Sequence, residues 1–204
     1  WIRLSSLAKD KTDKYYYLKM ICQANGKIFK EQDKLFFDNL FDNYYKECDW
    51  IEGAKEILPL LKSKGYKIGI LSNTSEISYN IIDNFNLKEH VDEIVLSCEV
   101  GYLKPDPRIF QSILSKLSLK EDEAVMVGDK ITTDVLGAKT MGMDIIYFNK
   151  NEKENNFNPN LSFVAITNKL TEITNILNKL ENENNEVFSI NLRGRKQLRQ
   201  EVAN

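Results

Sequence analysis

Three short stretches of this sequence carry side chains suited to handling an anionic group. The first is Ser72-Asn73-Thr74-Ser75, which follows the apolar run Lys67-Ile68-Gly69-Ile70-Leu71 and precedes a helical pattern. A hydroxyl and several backbone N–H groups at a helix start can cradle a phosphoryl group. Taken alone, the same residues read more often as a plain helix cap. The second is Lys104-Pro105-Asp106-Pro107-Arg108-Ile109-Phe110. Asp106 followed by Pro107 predicts a helix start, a side-chain cap and then proline at the first helical position. Lys104 lies just before it, in a stretch that Pro105 keeps extended. A lysine fixed there neutralises a phosphate or a nearby carboxylate, although by itself it reads equally as a surface lysine. The third runs from Val127-Gly128-Asp129 to Asp134. Gly128 lets the chain turn, Asp129 stands at a strand end and Asp134 follows at a helix start. Two carboxylates so placed suit Mg²⁺, which takes few protein oxygens and keeps water and phosphate as its other ligands. An isolated pair of this kind is ordinarily a turn aspartate and a cap aspartate.

The elements that must position these residues alternate. Strand-like runs occur at 67–71, 93–96, 124–127, 144–148 and 163–166, with helical patterns near 76–85, 107–117, 135–141 and 170–180. A further helical pattern over 53–63 contains Pro59, which weakens it. Alternating strands and helices predict an α/β fold, a Rossmann-like three-layer arrangement of a parallel sheet with helices on both faces. Ligands in such sheets bind beyond the carboxyl ends of the strands. The hydroxyl, the lysine and the carboxylate pair follow three successive strands and so face one edge, a coincidence that argues against chance.

Before Trp50 the pattern is helical, with Leu35, Phe36, Phe37, Leu40, Phe41, Tyr44 and Tyr45 at three- and four-residue steps. Core packing is the expected use of these aromatics. Residues 149–160 and 181–186 are rich in Asn, Lys and Glu and are expected to be loop and linker, followed by a basic tail containing Arg193, Arg195, Lys196 and Arg199. The expected organisation is a partial N-terminal all-α cap over 1–49, an α/β core over 50–181 and a linker and tail over 182–204.

Composition narrows the function. The 204 residues are 42% hydrophobic with a net charge of −2, and no basic face marks a nucleic-acid partner. No apolar run approaches the length of a membrane helix, and Lys9, Asp10, Lys11 and Asp13 interrupt any signal peptide. The three cysteines are widely spaced and His90 is the only histidine, which argues against zinc sites and histidine-based triads. Reduced, partly buried cysteines, a surface His90 and a cytoplasmic location are expected.

With those residues in place, the chain resembles the haloacid dehalogenase (HAD) superfamily. Leu71-Ser72-Asn73-Thr74 is similar to its second motif, Lys104 to Phe110 to its third and Val127-Gly128-Asp129 through Ala138 to its fourth. Residues 53–166 carry the resemblance, and residues 1–49 resemble the later helices of the family's small helical cap. The resemblance implies a Mg²⁺-dependent phosphatase acting on a small phosphorylated metabolite through an aspartyl-phosphate. It implies that Ser72 and Asn73 bind phosphoryl oxygens, that Lys104 holds the phosphate and the nucleophile, and that Asp129 binds Mg²⁺ with Asp134 assisting.

The family's opening strand ends in Asp-x-Asp, the first aspartate being the nucleophile. The nearest apolar-then-acidic string here is Phe36-Phe37-Asp38-Asn39-Leu40-Phe41-Asp42, which is helical in period and holds no Asp-x-Asp. In the family that strand lies between those ending here at Leu71 and Val127, so two unpaired strand edges are expected. Because the first residue is Trp1, an N-terminally truncated, inactive enzyme is the leading expectation. A non-catalytic phosphate-binding or interaction module is the alternative. A response-regulator receiver also uses an acidic pair with Lys-Pro, but there Lys-Pro comes last, whereas Lys104-Pro105 precedes Asp129.

Overall fold

Strands and helices alternate through the computed structural model of the chain, which describes residues 15–43, 46, 48–74, 78–150 and 163–182. The tail and the loop residues 151–160 lie outside the described residues. Two helices come first, α1 (Tyr16–Ala24) and α2 (Glu31–Asn43). The core then runs α3 (Ala54–Ser63), β1 (Gly69–Ser72), α4 (Ser78–Asn84), α5 (Leu87–His90), β2 (Glu93–Leu96) and α6 (Ser97–Val100). It continues with α7 (Pro107–Leu117), β3 (Val125–Gly128), α8 (Leu136–Met141), β4 (Asp144–Phe148) and β5 (Ala165–Thr167). A 3₁₀ turn, Leu170–Glu172, leads into the last helix, α9, over residues 173–182.

All strand pairs are parallel, as the crossover helices require. The strands form two sheets, β1–β2 and β3–β4–β5. One core nevertheless spans both. Val95 of β2, Ile109, Phe110, Ile113 and Leu117 of α7, and Ile145 and Tyr147 of β4 belong to one buried cluster, against which Leu71 of β1 and Met126 of β3 also pack. Alternation sends Ile146 to the opposite face, where it meets Ile57 of α3 and Ile173 of α9. Ile82 of α4 covers Leu96 of β2. The result is three layers, with α7 and α8 on one face and α3, α4 and α9 on the other. Among the described residues, β1 and β3 each have a strand neighbour on one side only, as do β2 and β5.

Several local features are explained by this packing. Pro59 sits inside α3 without ending it, because the Ile57 face is buried while Pro59 faces solvent. Asp106 caps α7 by accepting from the Arg108 backbone N–H at 3.0 Å, with Pro107 at the first helical position. Gly137 of α8 is required by close approach: a β-carbon there would lie 2.3 Å from the Phe110 ring.

Two expectations for side-chain packing need correction. The aromatic face of α2 is not a core face. Leu35 and Phe36 are 78% and 65% exposed, and Phe37 packs against Phe29 and Phe36. Phe41, Tyr44 and Tyr45 lie outside the residues whose side chains are described. His90 is half-buried rather than on the open surface, edge-on to Trp50 with ring centroids 5.4 Å apart. Cys98 is buried in α6, just past the end of β2, while Cys22 and Cys48 are half-buried.

Candidate active site

The three stretches singled out in the sequence meet at the carboxyl ends of β1 and β3, and Lys104 joins them. Its ammonium donates to the Leu71 carbonyl at 2.8 Å and pairs with Asp134 Oδ1 at 2.7 Å. The lysine side chain is 11% exposed and the aspartate 6%, so both charges are largely withdrawn from water. Such a pair persists because each partner offsets the other's desolvation, and removing one leaves an uncompensated charge. The Lys104-Pro105 peptide bond is cis.

Asp134 does not cap a helix. Residues Ile131–Val135 form a π turn whose wider winding turns Asp134 inward, and α8 starts after Val135. There Oδ2 accepts from the Lys130 backbone N–H at 3.1 Å, and Oδ1 accepts from the Thr133 hydroxyl at 3.2 Å as well as from Lys104. This also corrects the reason for Gly128. Its φ is not positive; rather, a β-carbon would stand 2.4 Å from Asp134 Cβ, so the aspartate packs directly on the glycine backbone.

Asp129 has the opposite character. It is exposed at the end of β3, and among the described residues its carboxylate has no hydrogen-bond or ion-pair partner. No group of three or more His, Cys, Asp and Glu gathers among the described residues. A divalent ion here draws two carboxylates at most from those residues, a donor number that Mg²⁺ accepts while completing its shell with water and phosphate oxygens. The residues present therefore fit the ion, with Asp129 as the free ligand and Asp134 held behind it.

Ser72 ends β1 half-buried, and its hydroxyl likewise has no partner among the described residues. Asn73 is different. Its Nδ2 donates to the Lys104 carbonyl at 2.9 Å, and its Oδ1 accepts from the Lys104 backbone N–H at 2.7 Å. The next residue is fixed as firmly. Ser97, fully buried at the end of β2, accepts from the Thr74 backbone N–H at 2.8 Å and donates to the Thr74 carbonyl at 2.9 Å. Sequence reasoning passed over Ser97, although a serine directly after the apolar run Glu93-Ile94-Val95-Leu96 satisfies the strand-end rule that found the other sites.

Next to the site, Arg108 lies 4.0 Å over the Tyr102 ring and closes on Asp106 through Nε at 3.0 Å and Nη2 at 2.6 Å. The guanidinium, together with the Arg108 backbone N–H, holds the Asp106 carboxyl down at about 2, and the carboxylate in turn pushes the guanidinium up.

Residues 5–148 match the sequence profile of the haloacid dehalogenase-like hydrolase family. The chain belongs to this family. Among related proteins, the glyceraldehyde 3-phosphate phosphatase of Methanothermobacter thermautotrophicus is 41% identical over 90 residues, 44% of this chain and 40% of that protein. The ribulose-1,5-bisphosphate 5-phosphatase of Halopiger xanaduensis is 30% identical over 143 residues, 69% of this chain and 60% of that protein. The chain thus spans about half the length of the curated relatives it matches. The crystal structure of a HAD phosphatase from Thermococcus onnurineus shares the fold, with a TM-score of 0.64 at 24% identity, covering 86% of this chain and 77% of that one. No helix among the described residues is long and apolar enough to cross a membrane.

Proposed function

We propose that this chain carries the phosphate- and metal-binding half of a Mg²⁺-dependent phosphatase for small phosphorylated metabolites. The observation that carries the reading is the Lys104 ammonium, held at the carboxyl ends of β1 and β3 between the Leu71 carbonyl and Asp134. A cation fixed there, with little freedom left to lose, neutralises phosphoryl charge at small entropic cost. The Ser72 hydroxyl, which has no hydrogen-bond partner among the described residues, donates to a phosphoryl oxygen. Asp129 holds Mg²⁺, which when bound polarises the phosphoryl group as a Lewis acid. Asp134 aims the Lys104 ammonium through their ion pair. The relatives named for glyceraldehyde 3-phosphate and ribulose-1,5-bisphosphate suit substrates of this size.

The reaction also needs a nucleophilic carboxylate. Its oxygen bonds to phosphorus as the ester P–O bond breaks and the alcohol leaves with a proton; water then releases phosphate from the aspartyl-phosphate. The edges of β1 and β3 that lack a strand neighbour among the described residues suit a strand bearing Asp-x-Asp, whose first carboxylate would arrive beside Lys104. The test is hydrolysis of p-nitrophenyl phosphate and of small sugar phosphates by the chain with such a strand joined ahead of residue 1. Mg²⁺-dependent turnover is expected, abolished by Lys104→Met and strongly reduced by Asp129→Asn. A folded protein of this design that hydrolyses no phosphate ester would refute the proposal.

A non-catalytic phosphate-binding module is a second reading. It is favoured by one observation: the only carboxylate paired with Lys104 among the described residues is Asp134, which is committed to the lysine. Calorimetric titration of the 204-residue chain with inorganic phosphate separates a binding module from an inert fold.

A further inference from the structure

Asn73 lies beside the proposed phosphate site, yet both ends of its side-chain amide are spent on the backbone of Lys104, 31 residues away. A primary amide has two N–H donors and one carbonyl acceptor. Here the acceptor and one donor close a two-way ring with a single partner residue. The turn that presents Asn73 is fixed in its own right. Thr74 is buried, and its backbone N–H and carbonyl are both satisfied by the Ser97 hydroxyl, which has no solvent exposure. The chain of contacts runs from the end of β2 through Ser97 to Thr74, then through Asn73 to Lys104, and from Lys104 to Leu71 and Asp134.

We infer that Asn73 is a positioning residue that aims Lys104, with Ser97 as its buried anchor, rather than a residue whose side chain grips phosphate. Two segments fix the lysine: the end of β1, with Asn73 on its backbone and the Leu71 carbonyl on its ammonium, and Asp134 beyond β3. Without Asn73 the Lys104 backbone loses both of its hydrogen-bond partners among the described residues, and the ammonium alone then fixes Lys104 itself. Ser97→Ala acts one step further back and so more weakly.

The inference rests on the reading of Lys104 as the phosphate-facing cation, but its test uses no phosphate. Lysine acylation of the full chain, read by peptide mass spectrometry, reports the accessibility of each ammonium. In the wild type, Lys104 is expected to label far more slowly than the exposed Lys88, whose side chain is 75% exposed. Asn73→Ala should speed Lys104 labelling about tenfold, a change of the size that losing a hydrogen bond to a buried group produces. Ser97→Ala should speed it less, and Ser115→Ala, an exposed serine on α7, not at all. Lys67, whose ammonium is held by the Leu117 carbonyl at 2.7 Å, controls for general loosening and should not change. Unchanged Lys104 labelling in a folded Asn73→Ala chain overturns the inference. A second measurement needs no variant: the Lys104 backbone N–H should resist hydrogen exchange in the wild type, and exchange at the rate of an unprotected loop amide overturns it equally. Protection of Lys104 from acylation by added inorganic phosphate is a separate reading. Its absence would count against the phosphatase proposal and leave the positioning role standing.

Discussion

Strands β3 and β4 lie side by side in one sheet and are built from similarly apolar residues, yet their burial differs sharply. In β4, Ile145, Ile146, Tyr147 and Phe148 are all buried, Ile146 completely. In β3 no residue is buried, and Val127 is 37% exposed. β1 resembles β3, with Gly69 exposed and Ile70, Leu71 and Ser72 half-buried. Pairing accompanies the difference but does not set it alone, since β2 also has one strand neighbour among the described residues and buries Val95 and Leu96 beneath α7 and α4. β4 has a strand on each side, whereas β1 and β3 have one each among the described residues. An apolar side chain on a half-paired strand lacks the lateral neighbours that complete its packing, and its free edge leaves backbone N–H and C=O groups without ladder partners. The low burial of β1 and β3 thus goes with edges that lack a strand neighbour among the described residues, and the candidate site stands at the carboxyl ends of these two strands.

Core truncation should break this comparison open. Ile146→Ala removes a side chain with no exposure and leaves a cavity, an expected loss of about 2–5 kcal/mol. Val127→Ala, on the neighbouring strand, removes contacts that are already incomplete, and a loss below about 1 kcal/mol is expected. Urea denaturation of both variants provides the check. Equal losses would mean that β3 is packed as fully as β4 and that its open edge has no energetic consequence.

The tie across the opening is the next effect in size. Lys104→Met keeps the aliphatic stem but leaves Asp134 facing no cation, with hydrogen bonds only from Lys130 and Thr133. Loss of one partner from a fully buried pair costs roughly 3–5 kcal/mol, and the partial exposure at Lys104 reduces the expected loss to about 1–3 kcal/mol. Lys104→Met combined with Asp134→Leu should recover part of it, because no buried charge then remains unpaired. If the double variant is as unstable as the two single losses summed, the pair is not the unit that links the ends of β1 and β3.

These contrasts also show how far the sequence could be read. The place of Lys104 and Asp129 at the carboxyl edge of the strands was legible because a strand-end rule locates them without knowledge of any contact. The Asp106-Pro107 start of α7 was legible because capping chemistry is local. The burial of Asp134 was not, since five-residue spacing from Asp129 suits an ordinary cap and only the π turn over Ile131–Val135 turns the side chain toward Gly128. The role of Asn73 was hidden for a different reason: its partner is 31 residues away, and no local pattern encodes that bond. On α2, periodicity correctly marks an apolar face but carries no information about what covers it, so Phe36 was expected in a core and is 65% exposed. Local chemistry and period survive in the sequence, whereas long-range pairing and the presence of a neighbour do not.

The smallest effect sharpens the comparison from the side of the site that needs no neighbour. Asp106 and Arg108 complete their contacts within three residues, whatever stands beside β1 and β3. Asp106→Ala removes the cap and should cost about 1 kcal/mol, while Asp106→Asn retains a good capping side chain and should cost a few tenths, roughly the worth of a surface ion pair. The pH dependence has a definite sign. The Asp106 carboxyl is lowered in the folded chain from 3.8 to about 2, so the folded state binds its proton less readily than the unfolded one. Its contribution is complete above about pH 4 and is lost as pH falls through about 2. Below that range the wild type should therefore approach Asp106→Asn in stability, while the two differ most above pH 4. A gap that stays constant from pH 5 to pH 2 would show that the ion pair with Arg108 does not stabilise the start of α7, and that the cap alone sets the geometry leading from Lys104 into the helix.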